Sequence, residues 1–158
     1  PLTGVANRSA GWSRLEQLDV SGRGGYGILF CDIERFKAVN DQHGHRAGDQ
    51  LLVDVAERLQ AAVGEDDVVA RWGGGDEFLV ITDSVNDWEL ARLADRITDE
   101  LDRAPVALGE GKQVAARMTI GFAAHRTGDG RSIDAVLEHA DQAMYNKRRR
   151  RSRRAAGS

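Results

Sequence analysis

Arg71-Trp-Gly-Gly-Gly-Asp-Glu-Phe78 sets three consecutive glycines before two consecutive carboxylates. Apolar runs flank it, with Val68, Val69 and Ala70 before and Leu79, Val80 and Ile81 after. Strand, turn, strand is the pattern of an antiparallel hairpin whose tip is almost all backbone. Glycine accepts positive φ and leaves room for another group to approach the main chain. Asp76 and Glu77, at the exit of the turn, are acceptor-only groups suited to a hard cation. A turn that admits a bulky anion beside such carboxylates suggests a nucleotide site. A surface turn followed by two solvated acids is the plainer reading of the same octet.

Upstream, Asn7 is placed to cap a helix carrying Trp12, Leu15 and Leu18 on one face, and a glycine-rich turn at 21–25 ends it. Tyr26 to Cys31 reads as a buried strand that delivers Asp32 at its end. Residues 33–48 read as polar and irregular, anchored inward by Phe36 and Val39. From Asp49 to Val63 the spacing of Leu52, Val55, Leu59 and Ala62 is helical, and Asp49 is itself a possible N-cap. Downstream, Asn86 starts a second helix with Glu89 in the capping-box position and Leu90, Leu93, Ile97 and Leu101 as its stripe. Residues 104–113 read as a connection, and Val114 to Ala124 as a strand in which Gly121 marks a bend or a close backbone approach. Ser132 caps a last helix whose inner face is Ile133, Val136, Leu137, Ala140 and Met144. Helices alternating with strands, around an obligatory antiparallel hairpin, give an α+β layer rather than a fully parallel sheet.

At 158 residues, 41% apolar and 30% charged, the chain has the composition of one globular domain. No apolar run approaches the roughly 20 residues that span a bilayer, and no signal peptide is visible. The chain opens at Pro1 without a methionine, so we expect a piece of a longer protein. The single cysteine, Cys31, precludes an internal disulfide, fits a reducing compartment and reads as a core thiol. Residues 147–154 hold seven of the 22 basic residues and no acid, leaving 15 bases and 25 acids before them, or about −10. Such a run is read as a solvated, disordered tail at 151–158 after a domain at 1–150, with no nucleic-acid partner expected.

A second polar cluster follows the buried strand: Asp32, Glu34, Lys37, Asn40, Asp41, His43, His45 and Asp49. Asp32 and Asp76 each lie at a strand edge, so adjacent strands can bring both to one Mg²⁺. Lys37 can neutralise phosphate, and Asn and Asp can read the edge of a base. His43 and His45 flank Gly44, and structural hydrogen bonding is their expected role rather than zinc binding.

The segment Asp32-Ile-Glu-Arg-Phe-Lys-Ala-Val-Asn-Asp-Gln-His-Gly-His-Arg-Ala-Gly-Asp49, with Gly74-Gly-Asp-Glu-Phe78, resembles the GGDEF family. So do Leu2-Thr-Gly-Val-Ala-Asn-Arg8, Thr119-Ile-Gly121 and Ala140-Asp-Gln-Ala-Met-Tyr145. The resemblance implies a palm-like fold, ferredoxin-like or nucleotidyl cyclase-like, with a mostly antiparallel central sheet flanked by helices. It implies a cytoplasmic diguanylate cyclase that joins two GTP molecules into cyclic di-GMP across a homodimer, under an N-terminal sensor domain. Its alternative is a degenerate relative that binds GTP and regulates a partner. By matching position, Asp32, Asp76 and the Ile33 carbonyl would hold Mg²⁺, with Mn²⁺ as a substitute. Asn40 and Asp49 would bind guanine. Lys37, the backbone at Phe36, Gly74, Gly75 and Arg148 would meet the rest of the nucleotide. Asp76, Glu77 and Lys37 would be catalytic, Glu77 as a supporting carboxylate.

The chain departs from the family pattern in four places. It has one glycine too many: the extra residue either shifts Asp76 by up to ~3.5 Å along its strand or is absorbed by a bulge before the turn. Glu34 replaces a shorter acid, and Arg148, with Lys147 beside it, stands where a lysine is usual. The Arg-x-x-Asp inhibitory pair of many relatives keeps Asp67 but has Gly64 in the arginine position. Product inhibition through that pair should therefore be weak or absent, and tight cyclic di-GMP binding at a site that Asp67→Ala abolishes would contradict this.

Overall fold

Residues 2–157 are described by a computed structural model. In chain order it holds α1 (Arg8–Val20), β1 (Gly25–Ile33), α2 (Phe36–His43), α3 (His45–Ala62), β2 (Val68–Arg71) and β3 (Glu77–Thr82). Then come α4 (Asp87–Asp102), β4 (Val106–Gly109), β5 (Lys112–Val114), β6 (Met118–Arg126) and α5 (Ile133–Ala156). The main sheet runs in the order β2-β3-β1-β6, every pairing between named strands antiparallel. This is the α+β class expected, an antiparallel sheet flanked by helices.

All nine residues of β1 are buried, because helices cover both faces of the sheet. Side chains alternate along a strand. Leu29, Cys31 and Ile33, with Phe78, Val80 and Ile120, meet Leu51, Val55 and Leu59 of α3 and Leu90 and Ile97 of α4. Tyr26, Ile28 and Phe30, with Leu79 and Ile81, meet Leu15 of α1 and Val136, Ala140 and Met144 of α5. A one-residue slip would exchange the two sets between layers shaped for other side chains and turn Asp32 into an apolar layer, so the register is strongly fixed. Cys31 is fully buried and its thiol is pushed up to about 12, by burial first and by Asp32 second, as befits a core thiol.

The caps at Asn7 and Ser132 form as expected, accepting from the Ala10 and Ala135 amides. Asn86 accepts from Trp88 N–H, but Glu89 contacts the Ser84 hydroxyl instead of closing a capping box. Gly121 is a close approach: a Cβ there would lie 2.2 Å from Met144 N and 2.4 Å from Ala140 O. The backbone of α5 therefore rests on β6, which fixes where the next helical turn carries Arg148.

Four expectations need correction. Residues 33–48 are not irregular: they form α2 and the start of α3, meeting at Gly44 with φ 91°. An eight-residue helix is too short to persist alone and is held by packing against α3, which no short pattern announces. Asp49 lies inside α3, whose N-cap is Gly44, so it is no cap. The connection 104–113 contains the β4–β5 hairpin, and the late strand begins only at Met118. Finally, the basic tail continues α5 to Ala156. Propagating a formed helix costs little, arginine is a good helix former, and the tail has partners. Lys147 Nζ donates to Ile120 O (2.8 Å) and Arg151 Nη1 to Met118 O (3.4 Å), while Arg131 caps Ala124 O. Those carbonyls share one parity on edge strand β6, so these cations also block pairing with another strand.

Candidate functional site

The register of β1 on β3 builds the site. Asp32 faces Glu77, and just beyond the last pair Ile33 N–H donates to Asp76 O (3.1 Å). Even-numbered residues of β1 point to the side of α1 and α5, so the Asp32 carboxylate is buried there, 3% exposed. It meets Arg148, whose Nη1 lies 2.7 Å from Asp32 Oδ2.

The turn shows what becomes of the third glycine. Residues 68–71 pair with 81–78 without a break, then Trp72 N–H donates to Glu77 O (2.9 Å) and Glu77 N–H to Gly73 O (3.1 Å). The extra residue is thus taken up just before the turn tip, where Trp72 and Gly73 together oppose Glu77 as in a bulge, and the 68–71 ladder stays intact. Gly74 (φ 62°) and Gly75 (φ 85°) take the left-handed conformations this needs, and Arg71 Nη2 ties the tip through Gly75 O (3.0 Å).

Like charges crowd the result. Asp32 is pushed up from the ordinary carboxylate range to about 7, by burial and then by the Asp76 carboxylate, against the opposing pull of Arg148. Glu77 is also raised, by burial, Asp76 and Asp141, with Arg8 and Arg148 lowering it. A cation beside Asp32 and Asp76 relieves this crowding. The donor set expected from the sequence, two carboxylates and the Ile33 carbonyl, is all oxygen, which would suit Mg²⁺ or Mn²⁺. Among the described residues no group of three or more His, Cys, Asp and Glu side chains stands ready to hold a metal. A cation here would take further oxygens from nucleotide or water.

Asp32, Ile33, Asp76, Glu77 and Arg148 are thus brought together. Asn40 and Asp49 form a second station at the α2–α3 corner. The Asn40 amide occupies the space a side chain at Gly48 would need, its Oδ1 1.8 Å from that Cβ position, and Asp49 is exposed. Phe36 is half-buried and Lys37 exposed on the first turn of α2. Lys147, occupied at Ile120 O, is not free to serve in place of Arg148. His43 Nδ1 is buried with no hydrogen-bond partner among the described residues. Asp67 spends its carboxylate on Gly64 N–H (2.8 Å).

Sequence reasoning gave no role to Gly48, Asp141 or Arg8. All three lie inside quoted motifs, but their contacts appear only once the fold brings distant segments together.

A profile of the family described as "Diguanylate cyclase, GGDEF domain" matches residues 1–154. The chain belongs to the GGDEF family. It is 37% identical over 160 residues to Diguanylate cyclase TpbB of Pseudomonas aeruginosa, covering 98% of this chain and 36% of that protein. It is 34% identical over 151 residues to Cyclic di-GMP phosphodiesterase NbdA of the same species, covering 93% of this chain and 19% of that protein. The solved GGDEF domain of TpbB superposes with a TM-score of 0.84 at 37% identity, covering 94% of this chain and 87% of that one. The chain therefore has the palm-like fold of GGDEF domains and spans well under half the length of these curated relatives.

Linkage gives this GGDEF domain a signed pH dependence. Asp32 protonates near 3.8 when unfolded and near 7 when folded, so between those values the folded state binds more protons. Stability of the metal-free protein falls as pH rises through that window and stays lowered above it. Asp32→Asn should stabilise it above pH 7 by on the order of 1–2 kcal/mol and flatten the profile below, as read by urea unfolding. An unchanged profile would contradict the electrostatic account.

Proposed function

We propose that this domain is a diguanylate cyclase, condensing two GTP molecules into cyclic di-GMP and pyrophosphate across a homodimer. The observation that carries the proposal is the juxtaposition of Asp32 and Asp76 in an unbroken register despite the third glycine. Asp32, Asp76 and the Ile33 carbonyl hold a divalent cation, Mg²⁺ or Mn²⁺, which when bound offsets phosphate charge and favours the ionised 3′-oxygen. The chain's own residues supply recognition and alignment. At the α2–α3 corner the Asp49 carboxylate accepts from the donor edge of guanine, and the Asn40 amide serves as both donor and acceptor.

Arg35, the N-cap of α2, makes no side-chain cap, so the first-turn amides at Phe36 are open to phosphate. Lys37 adds a mobile positive charge there. Gly74 and Gly75 are exposed and present only backbone to the nucleotide. Arg148 leaves Asp32 for the triphosphate as the substrate's charge arrives, so it serves as a stand-in cation before that. Glu77, which burial and then Asp76 push up from the ordinary carboxylate range, takes the proton of the attacking hydroxyl in its ionised form.

One domain orients one GTP. The 3′-oxygen of each nucleotide must attack the α-phosphorus of the other, so two copies face each other and two pyrophosphates leave. In the full protein a cytoplasmic setting and an N-terminal sensor domain belong to the same reading; no helix among the described residues is long and apolar enough to cross a membrane.

The similarity to NbdA, named as a phosphodiesterase, favours a second reading, a domain that binds GTP without turnover and regulates an attached one. Incubation with GTP and Mg²⁺ decides between them. The cyclase reading expects cyclic di-GMP and pyrophosphate at a rate that rises with dimer concentration, and a loss of at least about 100-fold in Asp76→Ala. GTP binding without product from a demonstrated dimer would leave the receptor reading. Undiminished product from Asp76→Ala would overturn the metal assignment.

A further inference from the structure

We propose that Arg8 is a positioning residue for the glycine turn: seated on the ring and carbonyl of Trp72, it fixes where residues 73–77 present Asp76, so that α1 and the turn move as one unit. The catalytic consequence rests on the cyclase reading above; the mechanical core does not.

The N-terminal segment is stitched to the free edge of β2, where Ala6 N–H donates to Val69 O (3.1 Å) and Arg71 N–H to Ala6 O (2.9 Å). The next residues, Asn7 and Arg8, cap and begin α1. The Arg8 guanidinium carbon lies 4.8 Å from the centroid of the Trp72 ring, and its Nη1 donates to Trp72 O (3.4 Å). Trp12, one turn on, stacks on the same indole with centroids 6.5 Å apart and planes 22° apart. Gly11 lets the helix come this close, since a Cβ there would stand 3.0 Å from Ala70 Cβ and 3.1 Å from Trp72 Cζ3. Trp72 is only 7% exposed. The residue at which the turn departs from β2 is therefore gripped by two side chains of α1.

Beyond Trp72 two backbone bonds hold the exit of the turn, Glu77 N–H to Gly73 O and Ile33 N–H to Asp76 O. Gly73, Gly74 and Gly75 carry no side chains, and the tip is tied by one bond from Arg71. Arg8 Nη1 lies 3.8 Å from the Cβ position of Gly73, so the guanidinium stands against the turn backbone itself. Its charge also favours ionised Glu77. A planar guanidinium both stacks on an indole and donates along its edge; a lysine keeps the charge and the cation–π attraction but not the fork. Removing Arg8 releases the turn without unpairing β1 from β3.

The test compares Arg8→Gln and Arg8→Lys with the parent chain by amide hydrogen exchange of the nucleotide-free protein, together with steady-state turnover of GTP. In Arg8→Gln, exchange of the Glu77 amide, which is bonded to Gly73 O, should rise about tenfold while amides 28–31 of β1 hold their rates. Turnover (kcat) should fall about tenfold with KM for GTP within about twofold. Arg8→Lys should recover most of both effects.

Unchanged exchange at Glu77, or an equal rise in β1, would overturn the proposal, the latter by showing a general loss of stability. Faster exchange with unchanged kcat would overturn its catalytic half. Should the parent chain make no cyclic di-GMP, the exchange comparison decides alone, so the failure of the cyclase reading is distinguishable from the failure of this one.

Discussion

The antiparallel pairing of β1 with β3 is the constraint on which the site depends. It delivers Asp32 and Asp76 from segments more than forty residues apart in sequence, and holds them by one backbone bond, Ile33 N–H to Asp76 O. Neither carboxylate chooses its position; the strands do. Burial of Leu29, Cys31 and Ile33 on one face and Ile28 and Phe30 on the other fixes the register. A slip of one residue would turn Asp32 toward α3 and α4, into an apolar layer that offers it no cation. Packing energy in the core thus enforces the geometry of a polar cluster at its rim.

The same pairing sets an electrostatic problem that the helices answer. Asp32, Asp76, Glu77 and Asp141 share one neighbourhood, and burial strengthens their repulsion. Arg148 from α5 and Arg8 from α1 supply the opposing charge, so both helices on that face are bound to the site as well as to the core. Gly121 is what brings α5 close enough, by letting its backbone rest on β6. The basic end of α5 then finds Ile120 O, Met118 O and Glu34 as partners, which explains a helix where charge alone suggested disorder.

Much of this was legible in the sequence. The stripes Leu90-Leu93-Ile97-Leu101 and Val136-Ala140-Met144 are faces of helices, and Asn7, Asn86 and Ser132 are caps. Asp32 at the end of a buried run and the glycine hairpin were both readable, as was the family. The corner of α2 and α3 was not, because a helix of eight residues stabilised by its neighbour leaves only Val39 buried as a trace. Nor was the fate of the third glycine, which depends on the amides of Trp72 and Glu77 finding carbonyls across the turn. Gly48 and Arg8 sat in plain view without a role, because what they touch, Asn40 and Trp72, is decided by packing.

The central claim is that the lengthened turn leaves Asp76 able to share one cation with Asp32. Anomalous diffraction from crystals grown with Mn²⁺ and a non-hydrolysable GTP analogue tests it most directly. The account predicts a manganese peak at coordination distance from both carboxylates and from the Ile33 carbonyl, with the residues 68–71 to 81–78 pairing intact. Manganese bound by Asp32 alone, with Asp76 turned away from it, would contradict the account.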